Sequence, residues 1–144
     1  MKNILLVLGL LFSGNIVAQS NLKPIEFMKY YVQIFNEKNL TAYKNCFHFP
    51  NALIADGQVK YNAEDKIPAV FFENMKKAGW AYSKVNKLQL IFEDQTTAVV
   101  LMDYSRFDKN DKPYFTTQGI YTLSNEKGYW QIIGMSPKNP VANH

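Results

Sequence analysis

The chain has 144 residues, nearly half of them apolar or aromatic, and a formal charge of +4. That length predicts one domain with a single real core. The 16 Lys and Arg outnumber the 12 Asp and Glu only mildly and are scattered along the chain, so nucleic acid is not an expected partner.

The N-terminus reads as a secretory signal peptide over residues 1–18. Met1-Lys2-Asn3 gives a positive start, residues 4–12 are apolar apart from Gly9, and Ile16-Val17-Ala18 ends in a small residue. The apolar stretch is shorter than the ~20 residues a helix needs to cross a bilayer, so no membrane span is expected. Cleavage near Ala18 would leave Gln19 first, with no cysteine to carry a lipid. The expectation is an exported, soluble protein of the periplasm or extracellular space, with residues 19–144 forming one domain. Cys46 is the single cysteine, which excludes an internal disulfide and fits a buried structural thiol. His48 stands two residues away, a spacing that does not pair a base with a nucleophile in helix or strand. The two histidines, His48 and His144, come with no CxxC, HExxH or calcium-loop pattern, so neither metal nor cofactor is expected.

Residues 24–37 predict a first helix. Pro24 is tolerated in a first turn, and Ile25, Met28, Tyr31, Val32 and Phe35 share one face. Asn39 caps a second helix over 40–47. Residues 51–55 and 58–61 flank Asp56-Gly57, which suits a tight hairpin turn. A third helix starts near Asn62 or Asp65, holds Pro68 in its first turn and stops at Gly79. Its stripe is Val70, Phe71, Met75 and Ala78. Four long strands follow over 80–92, 97–107, 114–123 and 129–135, separated by polar turns. This order predicts an α+β fold, a curved, mostly antiparallel sheet wrapped around three helices, with one apolar pocket in the resulting cone.

The stretch YVQIFNEKNLTAYKNCFHFPNALIADGQV resembles the SnoaL-like branch of the nuclear-transport-factor-2-like superfamily, the cystatin-like α+β cone. The matching residues are Phe35-Asn36, Asn39, Ala42, His48-Phe49-Pro50, Ile54, Gly57 and Val59. Gly79-Trp80, Ser105-Arg106-Phe107-Asp108 and Gly128-Tyr129-Trp130 fit that branch too. The resemblance implies the fold for nearly all of residues 19–144. It implies little about chemistry, because the fold hosts isomerases, dehydratases, hydrolases, cyclases and binding domains. Ketosteroid isomerases of the superfamily use a first-helix tyrosine and a protonated aspartate as oxyanion donors, with a second aspartate as base. An ungapped overlay from the helix tyrosine puts Tyr31 on the tyrosine and Ala55 on the base, and working back from the last turn puts the oxyanion aspartate on Ile120. Asp56 lies one residue past the base position, where strand alternation turns it away.

The remaining catalytic candidates are His48, Tyr31 and Asp103. His48 would need a partner to fix its tautomer, which Asp103 could supply. Otherwise it ends the second helix, its ring bonding a free carbonyl or packing beside Phe49. Alternation places Asp103 and Ser105 on one face of their strand and Tyr104 and Arg106 on the other. Inward, Tyr104 and Arg106 could hold an anionic group; outward, they are solvated sheet residues. The expected pocket comprises Tyr31, Phe35, Phe49, Trp80, Gln118, Ile120 and Trp130, with the overlay turning Ile120 inward and Gln118 beside it. Trp130, Ile132 and Gly134 are expected to share a face. The expected function is binding of a small hydrophobic molecule without a complete catalytic set. The alternative is an isomerase, dehydratase or hydrolase using His48 and Tyr31. A homodimer formed through the sheet is a further expectation.

Overall fold

A computed structural model describes residues 19–138. The signal-peptide reading of residues 1–18, the cleavage point and His144 lie outside the described residues. Helix α1 spans Pro24–Asn36 and α2 spans Leu40–Asn45. Strands β1 (Phe47–Ala55) and β2 (Gln58–Asn62) form the hairpin, and a 3-10 turn at Glu64–Lys66 leads to α3 (Phe71–Lys77). Four strands complete the chain: β3 (Tyr82–Glu93), β4 (Thr97–Phe107), β5 (Pro113–Ser124) and β6 (Gln131–Pro137). They form one sheet in the order β2-β1-β6-β5-β4-β3. All neighbours are antiparallel except β1 and β6, which run parallel. The architecture is the α+β cone expected. No helix among the described residues is long and apolar enough to cross a membrane.

Local chemistry explains most boundaries. The Glu26 carboxylate accepts the Lys23 N–H at 2.9 Å, so one orphan donor at the start of α1 is satisfied. Lys38 takes a positive φ of 58° after that helix, and the Asn39 side chain accepts the Ala42 N–H at 3.0 Å to start the next. Asp56 and Gly57 both have positive φ, as the two-residue hairpin requires. Gly79 turns the chain out of α3 with φ of 95°.

Three expectations about boundaries are corrected. Helix α2 ends at Asn45 with Cys46 as its cap, and β1 begins at Phe47. His48 is therefore a strand residue and does not close a helix. Helix α3 begins at Phe71, so Pro68 precedes it; its buried residue is Phe72, while Val70 is exposed. Trp80 precedes β3 rather than opening it.

The helices cover one face of the sheet. Ala98, Val100 and Met102 of β4 point into that core with Tyr121 and Leu123 of β5 and Ile132 of β6. Rings dominate its centre. Phe35 meets Trp80 edge-on at 4.8 Å between centroids, Phe72 at 5.4 Å and Tyr43 at 5.3 Å. Such pairs contribute beyond their buried area. The free edge of β3 is also tied down. The Asn36 side chain accepts the Ser83 N–H and donates to the Ser83 carbonyl, both at 2.8 Å. One amide thus satisfies both backbone groups of an edge residue and fixes α1 to the sheet.

Candidate functional site

The core is not filled everywhere. Between α1 and the sheet lies a half-enclosed hollow of about 70 Å³. Each structural level places part of its wall. Tyr31, Val32 and Phe35 lie on one face of α1, where positions i and i+4 meet. Asn39 starts α2 in the orientation that brings Tyr43 over Tyr31, their rings stacked at 5.7 Å. Phe71 of α3 stacks on Tyr43 at 5.4 Å. Met102, Tyr104 and Arg106 come from alternate positions of β4, and Tyr121 from β5, where it pairs with Val100 and reaches past Gly119, the partner of Met102. Gly119 lets Tyr121 lie close: a Cβ at Gly119 would stand 3.1 Å from the Tyr121 ring.

The tyrosine hydroxyls are neutral donors at ordinary pH. Burial raises Tyr31 well above its usual value, with further upward pushes from Tyr43 and Tyr121. Burial also lifts Tyr43 to about 12, against a smaller opposing effect of its hydrogen bond with Tyr31. Tyr121 is pushed up more strongly, first by burial and then by neighbouring tyrosines. Burial raises Tyr104 too, and the adjacent Arg106 holds that rise back.

Arg106 is the cation on the wall. Its guanidinium lies 5.1 Å from the Phe115 centroid and 5.9 Å from the Tyr104 centroid. Those rings fix its plane. Its Nε is buried and has no hydrogen-bond partner. Among the described residues no carboxylate lines this hollow.

Of the sequence candidates, Tyr31 and Phe35 line the hollow. Phe49 packs against the core beside Phe47, with ring centroids at 6.0 Å. Trp80 sits behind Phe35, its indole N–H donating to Ser83 Oγ at 3.0 Å, and backs a separate surface groove with Lys38 and Lys76. Trp130 is buried in the core and does not line the hollow. Gln118 and Ile120 are corrected. They lie on the opposite face of β5 from Tyr121, Gln118 donating to Asp103 at 2.7 Å and Ile120 being 44% exposed. The face shared by Trp130, Ile132 and Gly134 is corrected as well. An irregularity in β6 leaves Ile132 opposite Leu123 on the core side and Gly134 opposite Thr122 on the outer side.

The catalytic candidates are not brought together. Tyr31 is in the hollow, whereas Asp103 is on the outer face with Gln118. His48 bonds its own strand, with Nδ1 3.3 Å from the Pro50 carbonyl oxygen. Cys46 is buried beneath α2, donates to the Ala42 carbonyl and is raised to about 12 by burial, which leaves it a thiol.

Sequence reasoning left Tyr104 and Arg106 undecided between faces and missed Tyr43, Met102 and Tyr121. The local pattern does not decide the face. Ala98, Val100 and Met102 are apolar in phase with Tyr104 and Arg106, but Val99 and Leu101 are apolar in the opposite phase, as Ile120 is opposite to Tyr121 and Leu123. An apolar run on both phases marks no single buried side.

The geometry defines a class: a small α+β cone whose helices and sheet enclose a ring-lined hollow. The fold is the nuclear-transport-factor-2-like, cystatin-like one. An NTF-2 like protein of unknown function from Shewanella oneidensis MR-1 is 17% identical, with a TM-score of 0.63 over 80% of this chain and 95% of that one. A protein with a cystatin-like fold from Nostoc punctiforme is 9% identical, with a TM-score of 0.64 over 85% and 96% of the two chains. A nuclear transport factor 2 superfamily protein from Salmonella enterica is 13% identical, with a TM-score of 0.59 over 83% and 89%. At these identities the likeness is one of fold. No family model matches the sequence, and no curated protein matches it either.

Proposed function

We propose that this protein is an exported small-molecule-binding domain of the SnoaL-like kind that takes an apolar or aromatic ligand without transforming it. The observation that carries the reading is the hollow itself, ring-lined and partly open. A hollow of about 70 Å³ exceeds the roughly 10–15 Å³ that one water needs and is of the order of a single small ring. Concave, mostly apolar sites with a few polar groups are where small ligands bind. Export rests on the pattern of residues 1–18.

The enzyme alternative needs a base beside Tyr31. A neutral tyrosine can polarise a carbonyl but cannot take a proton from carbon. His48 and Asp103, the groups that would serve, stand elsewhere, and this favours binding. A homodimer through the outer sheet face is part of the proposal, since Ile54, Val59, Phe92 and Ile120 are exposed.

The test is a melting-temperature screen of the purified protein against single-ring aromatic compounds, paired with a native mass spectrum of protein taken from its host. Binding to the folded state must stabilise it, so at least one chemical class should raise the melting temperature in proportion to log concentration. A flat response across the set, with no mass adduct, overturns the reading. The same spectrum reports one subunit or two.

A further inference from the structure

The hollow contains a polar problem that an apolar ligand alone does not solve. Arg106 is partly buried on the inner face of β4, wedged between Tyr104 and Phe115, and its Nε is cut off from water without an acceptor. An unmatched buried donor on a cation is costly. The neighbouring polar side chains are the Ser83 hydroxyl, which accepts from Trp80, and tyrosine hydroxyls whose pKa is raised by burial, with Tyr104 against the guanidinium. They can donate to an anion and cannot neutralise the guanidinium by ionising. The acid nearest along the strand, Asp103, points away and is held by Gln118.

We infer that the ligand carries a carboxylate, that Arg106 is its partner, and that the substrate class is single-ring aromatic monocarboxylic acids. This rests on the ligand-binding reading above and narrows it. Three features select this class. The guanidinium is a planar fork already oriented by two rings, which matches a planar carboxylate. Among the described residues one cation lines the hollow, so one charge is balanced. The space holds roughly a benzene-sized body, with rings such as Tyr31 and Phe71 to stack on it.

The test uses matched pairs: benzoate with benzamide, phenylacetate with phenylacetamide, and 3-phenylpropanoate with its amide. Affinities are measured by calorimetry at pH 7.5 on the wild type and on Arg106→Gln. Each amide has nearly the shape of its acid and no charge. The wild type is expected to prefer at least one acid over its amide by about tenfold or more, as a charge-assisted bond in a partly buried site allows. Arg106→Gln is expected to remove that preference, acid and amide then binding alike, with its urea unfolding midpoint showing that the variant is folded. Arg106→Lys should fall between them, because a point charge replaces the fork. Equal wild-type affinity for acid and amide overturns this inference and leaves the ligand-binding reading standing, and needs no variant. An acid preference that survives Arg106→Gln overturns the assignment of Arg106. Binding of neither acids nor amides overturns this inference, and the melting-temperature screen with its mass spectrum then decides the reading beneath it.

Discussion

The two faces of strands β4 and β5 are made from the same residues in alternation, and they do opposite things. On the inner face Met102, Tyr104 and Arg106 meet Tyr121 around an unfilled space. On the outer face Asp103 and Gln118 bond each other, Ser105 bonds Asn86 and Thr116, and Ile120 stands in solvent. The outer polar groups have spent their bonding capacity on their neighbours. The inner face retains a guanidinium whose Nε has no acceptor. A polar group near a pocket is therefore not by itself a site; what separates these faces is whether its bonds are already made.

The comparison breaks most completely at alkaline pH. Tyr31, Tyr43 and Tyr121 have folded-state values raised above the ordinary 10.0, Tyr43 to about 12. The unfolded chain loses these protons first. Their contribution is complete below pH 10 and drains away as pH climbs toward each folded value, by about 1.4 kcal/mol per pH unit per tyrosine. Urea melts from pH 8 to 12 should show stability falling steeply above pH 10. Tyr43→Phe should reduce that slope.

Next in size is the inner packing. Phe35→Ala removes the ring that touches Trp80, Phe72 and Tyr43. It should cost about 3–5 kcal/mol in urea unfolding. Asn36→Ala strips the edge residue Ser83 of both side-chain bonds and should cost about 2 kcal/mol, with faster amide exchange at the start of β3. Gly119→Ala crowds the Tyr121 ring, which must give by a few tenths of an ångström. It should cost about 1 kcal/mol and alter ligand affinity more than unfolding. The smallest effect is outside: Ile120→Ala should stay within about 0.5 kcal/mol. A larger loss that varies with protein concentration would point to a partner on that face.

Much of the fold was legible in the chain. The Asp56-Gly57 hairpin, the Asn39 cap and the Gly79 stop are local events, encoded by the backbone freedom or hydrogen-bonding reach of single residues. The helix end before His48 was misread, because Cys46, Phe47 and His48 suit either a last turn or a strand and the pairing of Phe47 with Ile132 decides between them. The site was legible in its aromatic character and in Tyr31 and Phe35. It was not legible in β5, where Gln118 and Ile120 were expected inside.

By itself the sequence determined the element types, their order and the α+β class, since hydrophobic period and turn chemistry act over a few residues. Only the tertiary structure decided which face of β4 and β5 meets the helices, and so that Arg106 lies within and Asp103 without. The reason is the two-residue period of a strand: one step of register exchanges inside for outside, and that step is set by long-range pairing and by irregularities such as the one in β6.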